Sequence, residues 1–166
     1  MRVEPYRLAA NAERLEGELP LNDMSRLADV IGQQEGNCHA QLDFAVDTQR
    51  QRYIKGWAKA RVMMPCLRCM QPMPVMLDCS ILLGMVTDES LAARLPREYD
   101  PLVVDQERLE LLSVIEDELL LSLPQAVYHD DSECAVSRDR LKSGTLEEEA
   151  VAPNPFSVLQ GLKDKH

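Results

Sequence analysis

Between Cys38 and Met85 the chain alternates core-type and surface-type residues three times in succession, and a period of two sustained that long leaves few folds open. In the first run Cys38, Ala40, Leu42, Phe44 and Val46 fall on one side, and His39, Gln41, Asp43 and Asp47 fall largely on the other. The polar stretch Asp47-Thr48-Gln49-Arg50 then turns the chain. In the second run Ile54, Gly56, Ala58, Ala60, Val62 and Met64 alternate with Tyr53, Lys55, Trp57, Lys59, Arg61 and Met63. After a Pro65 to Pro72 link, Met73, Val75, Leu77, Cys79, Ile81, Leu83 and Met85 repeat the pattern. Successive side chains of an extended strand point to opposite faces, so each run reads as a half-buried strand. Three such strands on short links make an antiparallel meander.

The flanking segments are less regular. Tyr6 to Ala10 and Arg14 to Leu21 look extended, and Asn22 or Asp23 is placed to cap a short helix over Met24 to Ile31, with Gly32 and Gly36 ending it. Beyond Thr87, Ser90 to Arg94 suits one helical turn and Tyr99 to Val104 a further short strand. Leu109 to Leu123 has helical spacing, with Leu109, Leu112, Ile115, Leu119 and Leu123 along one side and Pro124 as the stop. Within it Glu116, Asp117 and Glu118 are consecutive, so they diverge around the helix and read as a solvated acidic surface. Residues 129–152 are polar and acidic, the composition of a flexible loop. In the last stretch, 153–166, Asn154 and Pro155 suit a helix start, and Phe156, Leu159 and Leu162 share a face suited to docking. The expected architecture is α+β: an antiparallel curved sheet or partial barrel with a covering helix in 1–128, a flexible acidic loop, and a C-terminal docking helix.

Charge divides the chain further. The net charge is -10, yet no Asp or Glu occurs from Thr48 to Leu77, where Arg50, Arg52, Lys55, Lys59, Arg61 and Arg68 lie. Residues 1–85 carry ten acids and ten bases, whereas 86–166 carry eighteen acids and eight bases. Two differently charged faces follow, and a local basic surface attracts a polyanion that the whole molecule would repel. With 45% hydrophobic residues in 166, the chain can bury one domain's core. No run approaches the roughly 20 apolar residues of a membrane span, and Met1-Arg2-Val3-Glu4-Pro5 lacks the apolar stretch expected of a secretory signal. Five cysteines, an odd number, read as reduced thiols, which makes the cytoplasm the expected compartment.

Two constellations can carry chemistry. Cys66-Leu67-Arg68-Cys69 sits at a strand-to-strand turn, where two intervening residues let both sulfurs reach one zinc ion. Tetrahedral zinc needs two more donors, which His129 and Cys134 can supply; Cys38 and His39 are rivals. Thiol redox catalysis normally places such a pair at the start of a helix, whereas Pro65 and Pro72 bracket this one between strands. A tight turn with two inert thiols is the simpler reading. The second constellation is the face of Tyr53, Lys55, Trp57, Lys59 and Arg61, with Arg68 expected to protrude from the adjoining turn. Rings stack on bases while cations contact phosphates, so this face suits single-stranded RNA, although an ordinary solvated sheet face fits as well. There is no Gly-rich phosphate loop or serine elbow, and His129 has no marked nucleophile beside it, so little favours an enzyme.

Leu42-Asp43-Phe44-Ala45-Val46-Asp47, Cys66-Leu67-Arg68-Cys69, Leu95 to Pro101, Val114 to Pro124, His129 to Cys134, and Pro153-Asn154-Pro155-Phe156 with Leu159 and Lys163 follow one another in a set order. Taken together, these stretches resemble the bacterial YceD family, the large ribosomal RNA subunit accumulation proteins. The resemblance implies a non-enzymatic ribosome biogenesis factor supporting synthesis, processing or stability of large-subunit ribosomal RNA, with that RNA or its precursor as partner. Some relatives look as if they carry further cysteines near the C-terminus in the manner of a zinc site, where this chain has Cys134. The acidic second half suits a basic ribosomal protein as another partner. A zinc- or thiol-dependent enzyme using Cys66 and Cys69, and a pure protein adaptor, are the alternatives.

Overall fold

The computed structural model describes residues 1–104 and 108–136. The elements run β1 (Arg2–Val3), α1 (Pro5–Ala10), β2 (Arg14–Pro20), α2 (Ser25–Ile31), β3 (Asn37–Val46), β4 (Arg52–Pro65), β5 (Pro72–Val86), β6 (Asp100–Val103), β7 (Leu109–Glu110) and α3 (Leu111–Leu121). Short 3-10 turns cover Leu21–Asp23 and Glu89–Arg94. The chain divides into two compact units, Met1–His129 and Asp130–His166.

The three alternating runs become β3, β4 and β5, paired antiparallel as the meander requires. β2 adds antiparallel to β3 and β6 adds parallel to β5, giving the order β2-β3-β4-β5-β6 in an open sheet, not a closed barrel. One face is apolar throughout: Cys38, Ala40, Leu42 and Phe44 on β3, Ile54, Ala58, Ala60 and Val62 on β4, and Leu77, Cys79, Ile81, Leu83 and Met85 on β5 are buried. Against these strands pack α1 and α3, which contributes buried Leu111, Val114, Ile115 and Leu119. Each fully buried Leu or Ile contributes roughly 1.5–3 kcal/mol, so this layer is the main source of stability. Gly56 falls in the inward set by its alternation with Ile54 and Ala58, and the position takes glycine because a Cβ there would lie 1.9 Å from the Gln41 carbonyl oxygen.

Five local expectations change. Tyr6 to Ala10 is helical, not extended: Pro5 opens α1 with its φ already suited to a helix, and Leu8 and Ala9 are buried by it. The long helix starts at Leu111, because Leu109–Glu110 pairs with Arg2–Val3. Its buried side is Leu111, Val114, Ile115 and Leu119, while Leu112 and Leu123 are only partly covered. Glu116, expected in solvent, is only 5% exposed. The carboxylate lies at the start of α2, where Oε1 accepts from the amides of Arg26 (2.7 Å) and Leu27 (3.0 Å) and Oε2 from Arg26 Nε (3.0 Å). Neither Asn22 nor Asp23 caps α2; its N-cap is Met24, which offers no acceptor, so a distant glutamate satisfies the orphan amides.

In the second unit the described residues form a turn in which the Glu133 and Cys134 amides both donate to the Asp130 carbonyl at 3.0 Å. The rest of the acidic loop, from residue 137, and the 153–166 docking helix lie outside the described residues. Among the described residues no helix is long and apolar enough to cross a membrane.

Candidate nucleic-acid interface and metal donors

The extended backbone of β4 puts Tyr53, Lys55, Trp57, Lys59 and Arg61 in one row on the face opposite the core, with Lys55, Lys59 and Arg61 exposed and the two rings half-buried. Lys59 Nζ lies 5.7 Å from the centre of the Trp57 ring. Tyr53 leans on Tyr99, ring centres 5.7 Å apart, and the Tyr99 hydroxyl donates to Asp47 Oδ2 at 3.0 Å. Burial, with the Asp47 carboxylate beside it, pushes Tyr99 up to about 12. These contacts hold Tyr53 from behind.

The row is less uniformly cationic than the acid-free window implies, because the sheet register imports carboxylates. Lys59 pairs across strands with Asp78, and their charged groups are 2.8 Å apart. Asp43 stands opposite Lys55 in the register. Its carboxyl is held below the usual range, chiefly by the hydrogen bond from Arg14 and then by that guanidinium's charge. Glu18 lies 3.5 Å from His39 on the same face. Lys55 and Arg61 make no ion pair among the described residues, so they are the cations free for a polyanion.

Arg68 does not protrude. It is half-buried, and Nη2 donates to the His129 carbonyl at 2.7 Å. That contact belongs to the second constellation. Cys66 opens the tight turn between β4 and β5, with Met70 at positive φ and its amide donating to the Cys66 carbonyl at 2.8 Å. The segment before His129 is drawn onto this turn: the Leu67 amide donates to the Val127 carbonyl at 3.0 Å, and the His129 amide to Cys66 Sγ at 3.4 Å. The Arg68 amide also donates to Cys66 Sγ at 3.4 Å. Cys69 Sγ and His129 Nδ1 are 3.3 Å apart.

Cys66 is fully buried. Burial raises its thiol pKa, but the amides of His129, Cys69 and Arg68 and the Cys69 thiol outweigh that and bring it down to about 5. The lowered value favours the thiolate, the form in which a cysteine ligates a metal. The donor atoms of Cys66, Cys69 and His129 lie within 4.8 Å of one another, so two sulfurs and one imidazole nitrogen converge at a spacing that one tetrahedral ion can draw together. The rivals are elsewhere. Cys38 is buried in the core, where desolvation, then the neighbouring Cys79, pushes its thiol up to about 11, and His39 sits on the outer sheet face.

Asp78 is missed in the sequence, whereas Glu116 is singled out there but placed in solvent. Asp78 follows the acid-free window by one position, and only the hairpin register reveals that it meets Lys59.

The model of the family described as Large ribosomal RNA subunit accumulation protein YceD matches residues 54–163. The protein of that name from Haemophilus influenzae (strain ATCC 51907 / DSM 11121 / KW20 / Rd) is 32% identical over 167 residues, covering 99% of this chain and 96% of the relative. No solved structure matches the chain. The matched span includes most of β4, the cysteine turn and His129, and on both comparisons the chain belongs to the YceD family.

Proposed function

We propose that this chain supports the accumulation of large-subunit ribosomal RNA by holding that RNA or its precursor on the outer face of β4, without catalysing a reaction. The observation that carries the reading is the row of Tyr53, Lys55, Trp57, Lys59 and Arg61 on one exposed strand face, in a chain whose relative is named for ribosomal RNA accumulation. Stacking on an aromatic ring is worth ~1–3 kcal/mol per base and tolerates any sequence, while the two cations outside an ion pair among the described residues, Lys55 and Arg61, imply a salt slope of about -1.4 on a single strand. Single-stranded or unpaired segments fit this surface better than duplex, whose bases are hidden.

Zinc is the metal proposed for the second constellation, held by Cys66, Cys69 and His129 with Cys134 as fourth donor. The tether supports the choice. Cys134 is five residues beyond His129, and its own turn returns the amide of residue 134 to the Asp130 carbonyl. Zinc there would fasten the segment after α3 to the β4–β5 turn, a structural role. The full burial of Cys66 supports that role over a thiol enzyme. A basic ribosomal protein remains the proposed protein partner for the acidic second half.

The test is crosslinking with sequencing in cells expressing either the wild-type chain or a Lys55→Ala, Trp57→Ala, Arg61→Ala variant. Enrichment of large-subunit RNA that falls in the variant supports the reading. Loss of enrichment in both chains, or equal enrichment, would leave a protein adaptor as the better account.

A further inference from the structure

We propose that the free edge of β2 is a docking strand for an extended, cationic peptide segment of another protein, whose apolar residues alternate with lysine or arginine. β2 ends the sheet order, and among the described residues its backbone pairs on one side only, with β3. A seven-residue strand with an open edge offers backbone donors and acceptors at a strand's own spacing.

What lies on the two sides of this edge decides the chemistry of the partner. On the core side a crevice of about 280 Å³ opens between β2 and α3, lined mainly by Leu15, Leu19, Leu42, Leu111 and Ile115. Gly17 lies in the middle of that side, and a Cβ built on it meets nothing within 4 Å. The inner sheet layer is therefore unfilled where an added strand would project alternate side chains, and apolar ones would fill it. On the opposite side a depression of about 390 Å³ is lined by Glu16, Glu18, His39 and Trp57 among others. Arg14, the one base on this strand, is tied to Asp43, which leaves two exposed carboxylates: Glu16, and Glu18, which accepts from Asn37 Nδ2 at 2.6 Å and lies 3.5 Å from His39. Two carboxylates beside an indole face suit cationic side chains. Alternation between an apolar crevice and an acidic, ring-bearing depression is what a β-strand of alternating apolar and basic residues complements.

This inference does not rest on the RNA reading: Trp57 borders both surfaces, but Glu16, Glu18 and Gly17, the residues the test changes, play no part in it. The experiment uses the full chain and a fluorescein-labelled peptide alternating lysine and valine, matched in length to β2, followed by anisotropy and amide hydrogen exchange. Saturable binding should protect residues 14–20. Exchanging Glu16 and Glu18 for Gln should weaken binding about fivefold, from the modest worth of exposed ion pairs. A Gly17→Leu chain, with space for its own side chain, should fold normally and lose binding because the crevice is filled. The proposal fails if a lysine–serine peptide of equal charge binds as well, if protection falls outside 14–20, or if Gly17→Leu binds like wild type.

Discussion

Glu116→Ala removes the only side-chain acceptor that serves the first turn of α2 among the described residues, and the structure sets the size of the effect. Glu116 accepts three hydrogen bonds, from the Arg26 and Leu27 amides and from Arg26 Nε, while 5% exposed. Hydrogen bonds to a charged group contribute about 1.5–3 kcal/mol each, but the cost of burying a carboxylate offsets much of the sum. Alanine leaves both amides and a half-exposed guanidinium without that partner, so the expected net loss is ~3 kcal/mol, or a fall of about 10 °C in Tm for a unit of this size. Glu116→Gln keeps an amide oxygen for the two backbone donors and forfeits the charge, so about 1–2 kcal/mol is expected. Asp117→Ala removes only a solvent-exposed partner of Arg26 and should cost under about 1 kcal/mol. Urea denaturation followed by circular dichroism reads all three. An alanine variant within about 0.5 kcal/mol of wild type, or one no worse than Asp117→Ala, would refute the capping argument.

Changing Cys66 and Cys69 together to Ser should abolish zinc in elemental analysis of the purified chain, from about one equivalent to below a tenth, and should lower Tm; unchanged Tm with unchanged zinc would contradict the site. Glu118 is raised by burial, then by Asp100 and Asp117, so its ionisation opposes folding. That contribution is absent below the unfolded value near 4.5 and grows as pH rises through the higher folded value. Glu118→Gln should then stabilise the chain by a few tenths of a kcal/mol at pH 7 (~0.5, allowing for solvent screening) and by nothing near pH 3.5, as paired urea titrations would read. Gly56→Ala should cost ~3 kcal/mol or more, since the added methyl meets the Gln41 carbonyl oxygen at 1.9 Å, whereas Gly17→Ala should be near neutral; equal melting curves would refute the contrast.

The strands were legible because the core takes alternate residues along most of β3, β4 and β5, and that rhythm survives without knowledge of the partner layer; it lapses at the strand ends, where Val46 is 43% exposed. Short elements carry no such rhythm. The six residues of α1 are too few to show a helical period, and the two-residue pairing of β1 with β7 joins Arg2–Val3 to Leu109–Glu110, over a hundred positions apart. β6 reads as a strand, but its parallel pairing to β5 has no local signature. Glu116 was misread for a related reason: three successive acids diverge around a helix, and which one points inward depends on where the amides of α2 lie. At the cysteine turn, residue chemistry singled out His129, and the fold brings its ring to Cys69 across sixty positions. Arg68 was misplaced because its role is to hold the His129 backbone. On the β4 face the sequence disclosed the cations and rings, while the acids that temper them come from neighbouring strands.

Ultraviolet crosslinking followed by mass spectrometry of nucleotide-bearing peptides tests the central claim most directly, because it reports which residues touch RNA. The account predicts ribosomal RNA adducts concentrated on residues 53–61, led by Trp57 and Tyr53. Adducts confined to other stretches, with that strand unmodified, would contradict it.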